Sequence, residues 1–301
     1  MYPAAFKYHR AGSIEEAVSV LSDWGEEAKP LAGGQSLIPL MKLRFARPEG
    51  LVDLNFITGL SGIERVNGKI RIGALARHAA IAASDVAAAI PIVHDCAAGI
   101  ADVQVRNRGT IGGSVAEADP SGDWVPVLLT LSTEVRSVGQ KGERTHALPD
   151  FIKDAYTTAL DSSELVRDLT ITVPPKNSGG AYLAFKRCAP VYASASAAVQ
   201  LTMGDRDTCE SARIYLGCVG LVPVHAEAAE NQLRGQKLTE GVIAAAADAA
   251  REAAEPQSDM RGSAEYKKIL IRSLVKRAIG IALRRSRGEQ VKVSHEYVGR
   301  V

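Results

Sequence analysis

A chain of 301 residues has the length of roughly two domains, enough to bury about three quarters of its unfolded surface. A net charge of +2 with 23% charged residues is an ordinary surface balance, so neither nucleic acid nor an anionic membrane is indicated by charge. Cys96, Cys188, Cys209 and Cys218 form no C-x-x-C pair and no ferredoxin spacing, which disfavours iron–sulfur or zinc in this chain and reads as free, buried thiols.

The start, Met1 to Lys7, has no basic segment leading into an apolar one, and no apolar run reaches the roughly 18 residues of a membrane span, so a cytoplasmic protein is expected. Ser13 with Glu16 forms a capping box for a helix from Ile14 that Gly25 ends. A strand from Ala28 to Ala32 and a short helix from Leu37 to Arg44 follow, with Pro39 tolerable only near the helix start. Leu51 to Leu54 reads as a buried strand, and Ile63 to Gly73 alternates around Asn67-Gly68, a strong hairpin signal. Ala79 to Ala89 and Ile92 to Ile100 read as alanine-rich helices. Strands are expected at Thr133 to Val138, Glu143 to Leu148 and Leu165 to Val173. Pro174-Pro175, with Asn177 to Gly180 behind it, reads as a domain boundary.

Beyond it, two strands at Ser194 to Met203 and Ala212 to Val219 precede helices at Ala226 to Leu233, Thr239 to Glu255 and Ser263 to Arg285: a sheet covered by helices. The last helix carries Lys267, Lys268, Arg272, Lys276, Arg277, Arg284 and Arg285, which read as a solvated face or one for an acidic partner. Residues 289 to 301 read as an exposed tail. Six histidines, among them His78, His94 and His146, show no metal-ligand spacing, and no metal site is expected.

Two stretches carry the chemistry. Leu31-Ala32-Gly33-Gly34-Gln35-Ser36-Leu37 joins a strand to a helix through paired glycines and a hydroxyl, leaving backbone N–H groups able to hold an anion. A lone Gly-Gly turn is commonly no more than a turn. The arrangement returns at Thr110-Ile111-Gly112-Gly113-Ser114, behind Arg106 and Arg108, and two such turns can grip one pyrophosphate. Neither is a G-x-G-x-x-G nor a G-x-x-x-x-G-K-[ST] turn, so a Rossmann or nucleoside-triphosphatase reading loses its main support.

With these turns and their flanks, Gln104 to Gly113, Asp119-Pro120 to Asp123, Gly142-Glu143-Arg144, Asp150-Phe151, Glu164-Leu165, Phe185-Lys186 and Arg261 to Tyr266, nearly all of the chain resembles the FAD-binding medium subunit of molybdenum hydroxylases, the carbon monoxide dehydrogenase and xanthine dehydrogenase family. The resemblance implies an α+β fold: a two-lobed FAD-binding domain of the p-cresol methylhydroxylase type at 1–175, with lobes near 1–58 and 59–175, then a smaller α+β domain at 176–288. It implies FAD held at its pyrophosphate by residues matching Leu31 to Ile38 and Thr110 to Ser114. Asp123 would contact ribityl or ribose hydroxyls, and Ile100, Leu165, Val166, Lys186 and Tyr192 would line the flavin or adenine. Each has a plainer reading: Ile100 and Leu165 as core, Lys186 as a solvated strand end, Tyr192 as filler, Asp123 as a helix cap.

The implied activity is an oxidoreductase subunit. It would pass electrons from the [2Fe-2S] clusters of a small partner, fed by a molybdenum-cofactor subunit, through FAD to quinone, NAD, a cytochrome or oxygen. The expected assembly is a dimer of heterotrimers, cytoplasmic or peripheral at the inner membrane face. No residue of the chain is expected to act as a nucleophile or base. Within the family the carbon monoxide branch is the first reading, with purine, N-heterocycle and aldehyde dehydrogenases as alternatives. A stand-alone flavin reductase and a flavin-free assembly module are the readings from other classes. Three positions depart from the carbon monoxide pattern: Gln35 stands where His is usual, Ser114 where Asn is commonest, and the loop Cys188 to Tyr192 lacks an acidic residue.

Overall fold

The computed structural model describes residues 2–188 and 191–293. It comprises two compact units, each built from three stretches of chain: 1–80, 103–118 and 133–171 in the first, and 81–102, 119–132 and 172–301 in the second.

The first unit holds a parallel three-stranded sheet in which Gly50–Asp53 lies between Lys7–Arg10 and Ala28–Leu31. Parallel neighbours need crossover connections, and the helices Ile14–Trp24 and Leu37–Lys42 lie in them. The first helix starts as its sequence predicts: Ser13 Oγ accepts from the Glu16 N–H at 3.1 Å, while the Glu16 carboxylate accepts from the Gly12 N–H at 2.7 Å. Its apolar stripe, Ala17, Val18 and Leu21, is buried with Val52 and Leu54. The glycine turn 32–36 therefore leaves the carboxyl end of a parallel strand, the usual ligand-binding edge of such sheets.

A five-stranded sheet follows, ordered Ile63–Val66, Lys69–Gly73, Leu165–Thr172, Glu134–Gly139, Gly142–Ala147. Asn67 (φ 50°) and Gly68 (φ 75°) make the hairpin turn with both central residues left-handed, as Asn-Gly favours. Buried Glu164, just before Leu165–Thr172, ties this sheet together. It accepts from the Ser137 hydroxyl at 2.6 Å, the Asp161 N–H at 3.0 Å and Arg144 Nε at 2.8 Å, and Arg144 Nη2 also donates to it. Burial pushes its carboxyl up, but these donors outweigh burial and hold it down at about 2.

The second unit contains an antiparallel sheet, ordered Ser178–Phe185, Ala195–Met203, Cys209–Gly217, Val224–His225. It shares an apolar core with helices Glu227–Leu233, Glu240–Ala253 and Ala264–Ser286. Helices Pro91–Gly99 and Trp124–Thr130 also pack on its strands.

Several expectations change. Residues 178–180, behind Pro174-Pro175, open a strand not expected from the sequence: Gly179 pairs with Leu201, and a Cβ there would sit 2.5 Å from the Ser286 N, so glycine lets the last helix approach the sheet. The helix expected over 79–89 breaks into His78–Ala82 and Asp85–Ala89, because Ser84 Oγ caps the second piece through the Ala87 N–H. Two cations of the last helix are internal. Lys267 pairs with Asp259 at 2.8 Å, and Arg285 forms a two-pronged pair with Asp95 at 2.6 and 2.9 Å while donating to the Gly180 and Val291 carbonyls. Cys188 is exposed rather than buried. Of the expected tail, 294–301 lies outside the described residues, as do Ala189 and Pro190 of the 188–192 loop.

Two predictions follow from the ion pairs. Removing one partner of a buried pair strands the other charge, so Arg285→Met is expected to lower stability by about 3–5 kcal/mol in urea unfolding. Arg272→Met, which breaks an exposed pair with Asp248, is expected to leave the urea midpoint nearly unchanged. Because the Glu164 pKa is depressed, its contribution is present above the ordinary carboxylate value of 4.5 and is lost as pH falls toward about 2. The stability difference between the parent and Glu164→Gln, up to about 3 kcal/mol near neutrality before screening at half-exposed Arg144, should shrink steadily between pH 5 and 3.

Candidate functional site

A cavity of about 380 Å³ opens in the first unit. Its lining includes the whole first glycine turn, Leu31 to Leu37, and from the second turn Thr110, Gly112, Gly113 and Ser114. The wall is completed by Leu54, Leu60, Ala74, Leu75, Val138, Leu160, Leu165 and Val166, with His78, Lys29, Glu117, Asp161 and Glu164 as its ionisable members.

The two turns differ in what they offer. In the first, the amides of Ala32, Gly33, Gly34, Gln35, Ser36 and Leu37 donate to no acceptor among the described residues. Ser36 stands at the helix N-cap without a side-chain capping bond. Gly34 takes φ 71°, a left-handed conformation that turns its peptide and is costly for any residue with a Cβ. A row of unspent N–H groups at a strand-to-helix turn is an anion site.

The second turn is largely spent. Ile111 N–H donates to the Ala76 carbonyl at 3.1 Å, Gly112 N–H to Ala74 at 2.9 Å, Gly113 N–H to Thr110 Oγ1 at 3.1 Å, and Ser114 N–H to the Thr110 carbonyl at 3.0 Å. Of this turn's amides, that of Thr110 alone lacks an acceptor among the described residues. The first turn therefore offers most of the unspent donors, and the second offers the Thr110 amide and the Ser114 hydroxyl. Ile111 has a fully buried side chain and does not line the cavity. Arg106 and Arg108, expected to neutralise a pyrophosphate, also lie outside the lining.

The glycines explain the contact between the turns. A Cβ on Gly33 would lie 2.5 Å from the Arg108 carbonyl oxygen and 2.8 Å from Gly109 Cα, and one on Gly112 would lie 2.7 Å from Ala74 Cα. Gly33 and Gly112 are thus demanded by chain packing on chain, which brings the first turn against the second. His78, buried in the wall, is held neutral: burial and the nearby Arg77 and Arg106 charges push its imidazole down to about 4.

Ile100, Asp123, Lys186 and Tyr192 belong to the second unit and are absent from the cavity lining. Asp123 precedes the Trp124–Thr130 helix but makes no capping bond. Its carboxylate accepts from the Tyr182 hydroxyl at 2.6 Å and from Lys186 Nζ at 2.9 Å, and Lys186 also donates to the Gly99 carbonyl at 2.9 Å. The helix-cap and solvated-lysine readings both fail, since Asp123 and Lys186 form a buried pair. Ile100 is half-buried at the end of Pro91–Gly99, and Tyr192 is exposed under the Arg261 guanidinium, 5.4 Å from its ring centre.

Sequence reasoning missed the segment 158–162, which lines the cavity without glycine or charge periodicity to mark it. It also missed Asn55 and Arg77 behind the turns. Among the described residues, no three His, Cys, Asp or Glu side chains cluster to hold a metal ion, and no helix is long and apolar enough to cross a membrane.

Two family models match the chain: the FAD binding domain in molybdopterin dehydrogenase over residues 4–176, and the CO dehydrogenase flavoprotein C-terminal domain over 180–282. The carbon monoxide dehydrogenase medium chain of Afipia carboxidovorans is 41% identical over 95% of this chain and 100% of its own. The 6-hydroxypseudooxynicotine dehydrogenase complex subunit alpha of Paenarthrobacter nicotinovorans is 38% identical over 98% and 100%. Among solved structures, a Cu,Mo-CO dehydrogenase chain superposes with a TM-score of 0.91 at 41% identity, covering 95% of this chain and 100% of that one. A quinoline 2-oxidoreductase chain from Pseudomonas putida 86 does so with 0.90 at 33%, covering 95% and 99%. One family model spans over half of the sequence and these relatives align end to end, so the chain belongs to the flavoprotein family built on the FAD-binding domain of molybdopterin dehydrogenases.

Proposed function

We propose that this chain is the flavin-binding medium subunit of a molybdenum-containing dehydrogenase complex, with FAD in the cavity of the first unit. The observation that carries the reading is the row of unspent amides from Ala32 to Leu37 in a wall that is otherwise mostly apolar. A diphosphate needs many donors with little side-chain bulk, and an aromatic ring system needs apolar walls, so the residues fit the group.

FAD, when bound, supplies chemistry that accepts electrons singly and releases them in pairs. The chain's own task is placement. The first-turn amides, the Thr110 N–H and the Ser114 hydroxyl hold the diphosphate, and Gly34 lets the backbone turn toward it. Leu54, Leu75, Leu160, Leu165 and Val166 keep water from the bound group. Neutral His78 adds no positive charge to the wall. For Ile100, Asp123, Lys186 and Tyr192, a place at the flavin or adenine rests on the family resemblance alone, as do the boundaries 1–175, 176–288 and 289–301.

The partners in this reading are a small subunit with [2Fe-2S] clusters and a large one with the molybdenum cofactor, arranged as a dimer of heterotrimers in the cytoplasm. Electrons leave to an external acceptor. Carbon monoxide is the proposed substrate of the complex, supported by the 41% identity to a carbon monoxide dehydrogenase medium chain. An N-heterocycle is the second reading, supported by the 38% identity to a 6-hydroxypseudooxynicotine dehydrogenase complex subunit over 98% of the chain. Assaying the purified complex with each substrate and an artificial acceptor separates the two.

The purified chain is expected to carry one FAD, with absorbance near about 450 nm; a colourless chain that takes up no added FAD would refute the reading. Gly34→Val forces a branched side chain into a left-handed position 2.7 Å from Ile38 Cδ1. It is expected to weaken FAD binding at least tenfold while lowering FAD-free stability by only about 1–2 kcal/mol. Equilibrium dialysis and thermal melts check both.

A further inference from the structure

We propose that Arg77 is a positioning residue for the diphosphate site: its guanidinium clamps the two glycine turns together from behind the cavity wall. The inference rests on the reading that the cavity takes FAD.

Arg77 is half-buried and does not line the cavity. One arm of its fork, Nη1, donates to the Arg108 carbonyl, and the other, Nη2, donates to Asn55 Oδ1. The Arg108 carbonyl is the same oxygen against which Gly33 packs. Asn55 in turn donates from Nδ2 to the Ala32 carbonyl at 2.9 Å, so it holds the first residue of the amide row. The guanidinium therefore links a carbonyl of the second turn to the side chain that grips the first.

The anchor behind Asn55 is firm. Asp53 Oδ1 accepts from the Asn55 N–H at 2.9 Å and from Nδ2 at 2.6 Å, and Asp53 Oδ2 accepts from the Tyr8 hydroxyl at 2.7 Å. Asp53 and Asn55 continue from the central strand of the parallel sheet, which makes the clamp's fixed end part of the sheet itself. On the other side, Arg77 bridges Thr110 in the backbone: His78 N–H donates to the Gly109 carbonyl at 3.2 Å and Ile111 N–H to Ala76. Thr110, whose amide faces no internal acceptor, is therefore registered by the residue whose side chain secures Arg108.

A planar fork with two donors suits this task. It reaches two acceptors on different segments at once, and the angle between its arms fixes their separation. An ammonium could satisfy one acceptor well and the second poorly. Without either, the Arg108 carbonyl and Asn55 would be free to move, and the spacing between the Ala32–Leu37 amides and Thr110 would no longer be set. A diphosphate is sensitive to that spacing because each of its oxygens needs donors within a few tenths of an ångström.

The test uses the full chain stripped of FAD, with FAD affinity measured by flavin fluorescence and melting temperature measured without FAD. Arg77→Met is expected to weaken FAD binding roughly 10- to 100-fold, the range for losing charge-assisted hydrogen bonds. Arg77→Lys is expected to recover part of that loss. Asn55→Ala should weaken binding alone but add little to Arg77→Met, because both cut one linkage. FAD affinity of Arg77→Met within threefold of the parent, or additive losses in the double variant, would overturn the clamp while leaving FAD binding by the parent intact. A lowered FAD-free melting temperature matching the loss, with no rescue by Lys, would reduce Arg77 to a structural residue and also overturn it. A parent chain that binds no FAD would instead remove the functional reading itself.

Discussion

The site depends on one close approach: the backbone of Arg108 and Gly109 resting against Gly33. No side chain fits there, so position 33 must lack a Cβ, and the two turns meet backbone to backbone. That contact places a helix-leading turn full of unspent amides beside a second turn whose amides are already spent. A phosphate site made this way carries little side-chain charge of its own. Its affinity comes from many small dipoles held in fixed directions, which is why the surrounding scaffold matters as much as the residues that touch the ligand.

That scaffold is over-determined. The parallel sheet fixes Asp53, Asp53 orients Asn55, and Asn55 holds the Ala32 carbonyl. Burial pushes the Asp53 carboxyl up, yet the Asn55 and Tyr8 donors prevail and hold it below the usual carboxylate range. Across the cavity, Glu164 performs the same service for residues 161–165, with its own depressed carboxyl. Asp53 behind the wall and Glu164 within it are each compensated locally, so neither repels an anionic ligand as strongly as an unpaired carboxylate would.

Much of this was legible in the residues. Ser13 with Glu16, Asn67-Gly68 and the alternation on either side of it are local signals, and each sets a local structure that tertiary packing did not override. The first glycine turn was legible for the same reason. The second was legible as a turn but not fully in its use: Thr110 takes the Gly113 and Ser114 amides locally, but Ala74 and Ala76, which take those of Gly112 and Ile111, are distant in sequence and have no motif. That Gly179 and Gly180 belong to a strand was not legible, because they are small for a tertiary reason: a helix and a neighbouring side chain press on the strand. Asn55, Arg77 and the 158–162 segment had no sequence signal, since their role exists only once the strands have brought distant carbonyls together.

The same geometry limits what this chain does. His78 has its imidazole pushed down to about 4, too weak a base to be a proton acceptor of consequence near neutrality. Glu164 has its carboxylate committed to Arg144, Ser137 and Asp161 and is weaker still as a base. The first-turn amides and the committed Glu164 carboxylate suit this cavity to holding a bound group in place, and relatives named for carbon monoxide, 6-hydroxypseudooxynicotine and quinoline share this scaffold.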